Sequence, residues 1–111
     1  MNYQHELVNN VLFLKLEGDM LGETDGMELL DIVNNHINQN IVNAAIDLFG
    51  VRYMNSTGIG VLITLLTKFK SNNGALVLVN PSEQIQKLLT ITKLNSVFTI
   101  VGTKEEAIKL F

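Results

Sequence analysis

The run Ala75–Val79 restricts the possible fold more than any other segment of this sequence. Its five residues are all apolar, so both faces of a strand formed here would have to be covered. Central strands of a parallel sheet meet that requirement, because helices pack on both faces of the sheet. Helical patterns precede and follow the run. The sequence therefore predicts an α/β fold with a mostly parallel central β-sheet.

A β-hairpin is predicted near the N-terminus. Two β-type runs, Tyr3–Val8 and Val11–Leu16, flank Asn9-Asn10, a pair that tolerates the positive φ angles of a two-residue turn. Gly18 is expected to end the second strand. Three leucines of that strand share one face and are expected to meet the core. They are Leu12, Leu14 and Leu16.

Apolar spacing and capping residues predict the other elements. The first helix is expected over Asp25–Asn38, with Asp25 and Glu28 as a capping pair. Its inward stripe is Met27, Leu30, Val33 and Ile37. Next come a strand Ile41–Phe49, a helix Thr57–Lys70, the strand Ala75–Val79, a helix opening at Asn80-Pro81-Ser82-Glu83, a strand Val97–Val101 and a short helix capped at Thr103-Lys104-Glu105-Glu106. The predicted order is β-β-α-β-α-β-α-β-α, with about four helices in a single domain over residues 1–111.

Composition narrows the functional classes. Without cysteine, the chain has no disulfide framework, cysteine-bound metal or thiol nucleophile. Its formal charge of −3 and scattered basic residues argue against nucleic acid as a direct partner. The first residues resemble no secretory signal and no apolar stretch is long enough for a membrane span, so we expect a cytoplasmic protein with no membrane partner.

No catalytic arrangement is recognisable in the sequence. His5 and His36 lie on different elements without metal-ligand spacing, and both are expected at the surface. Gly58-Ile59-Gly60 opens a helix after a strand, but Ile63 stands where a dinucleotide-binding fingerprint has its third glycine. We therefore predict a protein that is not an enzyme and uses no metal or cofactor.

The most informative segment runs from Tyr53 to Gly60 and joins a buried strand to the second long helix. Ser56 lies where that helix begins. A hydroxyl there can cap free backbone N–H groups, and Thr57 could serve equally well. A phosphate on Ser56 would meet the same donors and the positive end of the helix dipole. Both roles, cap and modification site, are open from the sequence.

The same helix has apolar residues on two sides. One side suffices for the core and comprises Ile59, Leu62, Ile63 and Leu66. The other side carries Val61 and Leu65 beside Thr57, Thr64 and Lys68. These two apolar residues form either an exposed docking strip next to Ser56 or a surface covered by another element. Helical periodicity supports the two interpretations equally.

The sequence resembles the STAS-domain family of bacterial anti-sigma factor antagonists over nearly its whole length. The second predicted strand is similar to the second strand of that family, which also ends in a glycine followed by an acidic residue. In this sequence the segment is Leu14-Lys15-Leu16-Glu17-Gly18-Asp19. A second stretch resembles the family's signature motif. It begins with Ile46-Asp47-Leu48, continues through Val51, and ends with Met54-Asn55-Ser56-Thr57-Gly58-Ile59-Gly60. The segment from Gly74 to Leu94 follows the family's strand, turn and helix.

The resemblance implies a STAS fold and regulation by partner switching. The unphosphorylated protein would bind an anti-sigma factor that is also a serine kinase, freeing a sigma factor. Phosphorylation at Ser56 would abolish binding until a serine phosphatase reverses it. A monomer or a transient heterocomplex is expected. The implied partner-binding residues are Asn55, Thr57, Gly58, Gly60, Val61, Thr64, Leu65, Lys68, Asp19 and Glu23.

Two positions depart from the family pattern. Asn55 stands where relatives usually have aspartate before the phosphorylated serine, which removes a negative charge. Many relatives also carry an acidic residue near the position of Leu21, whereas here Asp19, Glu23 and Asp25 surround it. Kinase recognition could differ accordingly.

Two other functions are compatible with the resemblance. STAS proteins also occur as phosphorylation-independent adaptor subunits of phospholipid-transport ABC complexes, and a scaffold similar to the stressosome would form large assemblies. Ser56 within the motif favours the antagonist over the transport adaptor.

Overall fold

A computed structural model describes residues 2–21 and 23–111. The elements follow the predicted order, with a 3₁₀ turn before the last strand. They are β1 (Asn2–Val8), β2 (Val11–Met20), α1 (Glu23–Ile37), β3 (Asn43–Met54), α2 (Ser56–Ser71), β4 (Ala75–Val79), α3 (Glu83–Ile91), the 3₁₀ turn (Leu94–Ser96), β5 (Thr99–Val101) and α4 (Lys104–Lys109).

The strands form one five-stranded sheet in the order β1-β2-β3-β4-β5. β1 pairs with β2 in antiparallel register, whereas β2 through β5 run parallel to one another. Asn9 and Asn10 have φ angles of 52° and 63°, as a two-residue hairpin turn requires. The predicted fold, a mostly parallel sheet with an N-terminal hairpin and four helices, is confirmed.

Both faces of the sheet are covered by helices. The larger core lies on the face of α1, α2 and α3, and includes Leu12, Leu14 and Leu16 as predicted. The smaller core lies on the opposite face, where Val11 and Phe13 pack with Ala107 of α4. β4 divides its side chains between the two cores: Leu76 and Leu78 enter the larger one, and Val77 and Val79 the smaller one.

Two strands run further than predicted. Gly18 does not end β2: it adopts a φ of 108° at a shift in register, and the strand continues to Met20. β3 continues past Phe49 to Met54, because its second half pairs with the shifted end of β2. The two strands therefore end side by side, with Met20 opposite Met54.

Smaller differences concern helix starts and the last strand. Ser82, not Asn80, caps α3 by accepting a hydrogen bond from the Ile85 amide, and Asn80 instead adopts a positive φ of 48°. α1 begins before Asp25, at Glu23. Met27, which was predicted to face the core, is exposed, and Leu29 is buried in the core instead. β5 begins at Thr99, after the 3₁₀ turn. The predicted Thr103 cap of α4 is present.

Candidate functional site around Ser56

The candidate site lies where β3 passes into α2 at the carboxyl ends of two parallel strands. Asn55 is the only residue between β3, which ends at Met54, and α2, which begins at Ser56. β2 ends beside it, so the segment after Met20 is adjacent to the start of α2. The bulged register therefore brings residues far apart in sequence to one edge of the sheet.

Asn55 is the N-cap of α2, the role that the sequence left open between Ser56 and Thr57. Its backbone is extended, and its Oδ1 accepts a hydrogen bond from the Gly58 amide at 2.9 Å. Its Nδ2 donates to the Leu21 carbonyl at 2.7 Å, and its backbone N–H donates to the Met20 carbonyl at 3.3 Å. One residue thus caps α2 and fastens it to the end of β2.

Ser56 is the first residue of α2, and its side chain is exposed. Because Asn55 provides the cap, the helix does not use the Ser56 hydroxyl. Among the residues whose side chains the structure describes, no group hydrogen-bonds to Ser56 Oγ. The hydroxyl is therefore accessible to a modifying enzyme, at the helix end where the dipole favours negative charge.

The two glycines of the motif have different surroundings. Gly58 is buried, and a Cβ added to it would lie 2.5 Å from the Met20 carbonyl oxygen and 2.7 Å from Met54 Cγ. Close approach of α2 to β2 therefore requires glycine there, and Gly58 presents no side chain to a partner. A Cβ added to Gly60 would meet nothing within 4 Å, so Gly60 is an open part of the helix surface.

Of the two interpretations of Val61 and Leu65, the structure supports a surface covered by another element, and their expected role as partner-contacting residues is wrong. Leu65 is fully buried and Val61 is 9% exposed. A Cβ added to Gly26 of α1 would lie 2.6 Å from Val61 Cγ2, so α1 covers this side of α2. Ile63, which was expected in the core, is 39% exposed instead. The buried face of α2 comprises Gly58, Val61, Leu62, Leu65, Leu66 and Phe69.

The exposed surface next to Ser56 consists of small polar residues and a few apolar side chains. Thr57, Gly60 and Thr64 are exposed along α2 at helical spacing, and the Thr64 hydroxyl donates to the Gly60 carbonyl. Ile63 adds an apolar side chain on this side of the helix. Beyond the helix, Leu21 is 47% and Tyr53 56% exposed. Leu21 and Tyr53 were missed as contact candidates because the predicted β2 and β3 were too short, and Ile63 was missed because the helix face was misassigned.

Asp19 forms a two-pronged ion pair with Arg52 on the neighbouring strand. Arg52 Nε donates to Asp19 Oδ1 at 3.0 Å, and Nη2 donates to Oδ2 at 2.8 Å. Hydrogen bonding from the guanidinium lowers the pKa of Asp19, and the carboxylate raises the pKa of Arg52. Asp19 is therefore a paired carboxylate at this edge. The Arg52 side chain was missed because residues 50–54 were not assigned to a strand.

Of the other predicted partner residues, Lys68 lies away from the site. Lys68 lies twelve residues after Ser56, about 18 Å along the axis of α2. Glu23 begins α1, but its side chain lies outside the part of the chain that the structure describes, as does that of Asp25.

A groove of about 380 Å³ flanks the site between the end of β3 and α3. It is lined by Arg52, Tyr53, Met54, Gln84, Ile85, Lys87, Leu88 and Ile91. Ile91 is 78% exposed at its rim. This apolar groove with two basic side chains extends the exposed surface from Tyr53 toward α3.

The histidines do not form a catalytic centre with the site. Their rings meet edge to face, with centroids 5.6 Å apart, and His36 Nδ1 lies 2.7 Å from the Ile32 carbonyl oxygen. Within the described ranges, no cluster of three or more histidine, aspartate or glutamate side chains could hold a metal ion. None of the helices described in those ranges has the length and hydropathy of a membrane span.

Comparisons with known proteins agree with this architecture. The model of the STAS domain family matches residues 2–107. A candidate anti-sigma factor antagonist from Thermotoga maritima is 22% identical over 107 residues, which cover 96% of this chain and 95% of that protein. A Thermotoga neapolitana homologue is 23% identical over the same shares of both chains.

Solved structures have the same fold. The crystal structure of a candidate anti-sigma factor antagonist from Thermotoga maritima matches with a TM-score of 0.87 and 22% identity, covering 96% of this chain and 92% of that one. The Bacillus cell fate determinant SpoIIAA in its phosphorylated form matches with a TM-score of 0.77 and 21% identity, covering 97% of both chains. With a family model matching almost the entire chain and the same fold in these structures, the chain belongs to the STAS domain family.

Proposed function

We propose that this chain is an anti-sigma factor antagonist that acts by partner switching through Ser56. In its unphosphorylated form it binds an anti-sigma factor with serine kinase activity, and a sigma factor is released. Transfer of the γ-phosphoryl group of ATP to Ser56 Oγ, with loss of the hydroxyl proton and release of ADP, ends binding. A serine phosphatase restores the hydroxyl. The cycle is cytoplasmic, because sigma factors act there.

The observation that carries this proposal is the exposed Ser56 hydroxyl, which the fold does not use. A serine that only caps a helix would direct its oxygen to a backbone amide, but Asn55 does so here. Ser56 is therefore free to serve as a kinase substrate. Two further findings support the same assignment: the chain belongs to the STAS family, and the structurally similar anti-sigma factor antagonist SpoIIAA has a phosphorylated form.

The binding surface in this proposal differs from the one expected at Val61 and Leu65. It comprises the exposed side of α2 and its neighbours: Leu21, Tyr53, Thr57, Gly60, Ile63 and Thr64. Exposed apolar side chains among small polar residues suit a partner that binds reversibly. Ser56 lies at the edge of this surface, so that a partner covering it would also cover the serine.

The phosphate would act on the interface and not on the fold. It adds about 1.5 to 2 negative charges at neutral pH. The first turn of α2 contains no acidic residue, and the helix dipole favours an anion there. The chain itself therefore tolerates the charge. A partner packed against Leu21 and Ile63 would have to desolvate the phosphate, which weakens the complex.

Intact-mass spectrometry with peptide mapping tests the assignment. The chain is incubated with ATP and each candidate anti-sigma serine kinase from the same genome. We expect a mass gain of one phosphate, mapped to Ser56 and absent in Ser56→Ala. Ser71→Ala is a matched control, because Ser71 is an exposed serine at the other end of the same helix. Phosphorylation only at another residue would contradict the proposal. No phosphorylation and no binding with any of the kinases would also contradict it, and would favour a phosphorylation-independent STAS adaptor.

A further inference from the structure

The side chain of Asn55 makes two hydrogen bonds that require different chemical groups. Its carbonyl oxygen accepts from the Gly58 amide, and its amino group donates to the Leu21 carbonyl. An aspartate could make the first bond, because both of its oxygens are acceptors. It could not make the second, because an ionised carboxylate has no hydrogen to donate. The Leu21 contact therefore distinguishes asparagine from aspartate at this position.

The Leu21 contact fixes a segment that lies directly beside the phosphorylation site. Leu21 follows β2, and its side chain is 47% exposed. The Asn55 backbone N–H donates to the carbonyl of Met20, the residue before Leu21. The bonds to the Met20 and Leu21 carbonyls therefore attach two consecutive peptide groups to the start of α2. Leu21 is thereby held in one position relative to Ser56.

We propose that Asn55 is a positioning residue that holds Leu21 as a fixed part of the surface recognised by the Ser56 kinase. The partner is accordingly a kinase with an apolar contact for Leu21, and it does not require an acidic residue before its target serine. This inference rests on the proposed function of Ser56 and deepens it. It also gives a physical reason for asparagine at this position.

Two substitutions separate the hydrogen bond from the charge. Asn55→Asp keeps a capping oxygen but places a negative charge against the Leu21 carbonyl. Asn55→Ser also keeps a capping oxygen, adds no charge, and ends one bond short of the position of the amide nitrogen. Both residues are good N-caps, so α2 should remain folded in both variants. The melting temperature of each variant serves as the control for the fold.

Amide hydrogen exchange measures whether the Asn55 side chain stabilises the segment around Leu21. In both variants we expect faster amide exchange in the fragment covering residues 17–23, with unchanged protection in the fragment covering residues 56–62. Loss of one hydrogen bond corresponds to about a fivefold change in the local opening equilibrium. Unchanged exchange in residues 17–23 of both variants would overturn the proposed role of Asn55.

Phosphorylation kinetics test the consequence for recognition. With purified anti-sigma serine kinase and ATP, we expect both variants to raise KM for phosphorylation of Ser56 about fivefold. A change in Asn55→Asp alone would assign the effect to charge and overturn the inference, as would a wild-type KM in both variants. If the kinase does not phosphorylate the wild-type chain, the proposed function fails, and the exchange measurement still decides whether Asn55 fastens Leu21.

Discussion

At the scale of single residues, the structure explains why asparagine is so frequent in this chain. Of the 13 asparagines, five adopt a positive φ: Asn9, Asn10, Asn40, Asn73 and Asn80. Asparagine tolerates this conformation better than other side-chain-bearing residues. Others bond neighbouring segments, as Asn55 does at the site and Asn43 does by accepting from the Ala75 amide. The asparagine bias is therefore largely structural, a role that the sequence composition alone did not indicate.

The two glycines at the start of α2 should respond oppositely to alanine. Gly58→Ala places a methyl group against the Met20 carbonyl and should destabilise the fold by about 1 to 3 kcal/mol. Gly60→Ala meets open space within a helix and should stabilise it by about 0.5 to 1 kcal/mol. Urea unfolding of both variants measures the difference. Equal effects of the two substitutions would contradict the close packing of α2 on β2.

The ion pair between Asp19 and Arg52 at the end of β2 predicts how the Asp19 carboxyl group titrates. Arg52 lowers the pKa of Asp19, so the pair contributes stability above the ordinary aspartate pKa of about 3.9. That contribution is lost as the pH falls through the lower pKa of the folded state. Arg52→Gln should raise the pKa of Asp19 toward its ordinary value, as measured by NMR titration of the carboxyl carbon. An unchanged pKa in the variant would exclude the pairing in solution.

At the scale of elements, α2 shows why helical periodicity assigned its faces incorrectly. Apolar residues surround much of this helix, so spacing alone does not distinguish an inward from an outward side. The assignment depends on α1, which covers Val61 because Gly26 allows close approach. That packing involves residues 35 positions apart and cannot be read from α2 itself.

Substitutions on α2 test this corrected assignment of its faces. Leu65→Ala should destabilise the protein by about 2 to 5 kcal/mol, because Leu65 is fully buried in the larger core. Ile63→Ala should cost less than about 1 kcal/mol, because that side chain is 39% exposed. Chemical denaturation compares the two variants. A larger loss for Ile63→Ala would show that the originally predicted face is the buried one.

The sequence predicted which strands exist and in what order they follow, but it did not predict where β2 and β3 end. Alternating leucines identified β2, and the apolar run at Ala75–Val79 identified a strand covered on both faces. The extensions of β2 to Met20 and of β3 to Met54 arise from pairing in a shifted register. Gly18 was predicted to end its strand, whereas pairing between distant segments keeps both Gly18 and Gly50 within strands. The motif at Ser56 was therefore found, whereas Arg52 and Tyr53 near the end of β3 were not identified as site residues.

At the scale of the whole molecule, the proposed switch would place a reversible charge on a sheet that is packed on both faces. The five-stranded sheet, covered on both faces, places Ser56 at one edge, at the positive end of α2. Asn55 and the buried Gly58 hold that helix end against β2. In the proposed mechanism, phosphorylation alters the surface of the protein and leaves its core unchanged.

The measurement that tests this account most directly is the affinity of the chain for its anti-sigma kinase before and after stoichiometric phosphorylation of Ser56. Calorimetric titration gives the affinity, and amide NMR spectra of both forms report on the fold. We predict at least about a hundredfold weaker binding after phosphorylation, equivalent to about 3 kcal/mol, with spectral changes confined to the vicinity of Ser56. Equal affinity of the two forms would contradict the switch, and spectral changes throughout the core would contradict its action through surface charge alone.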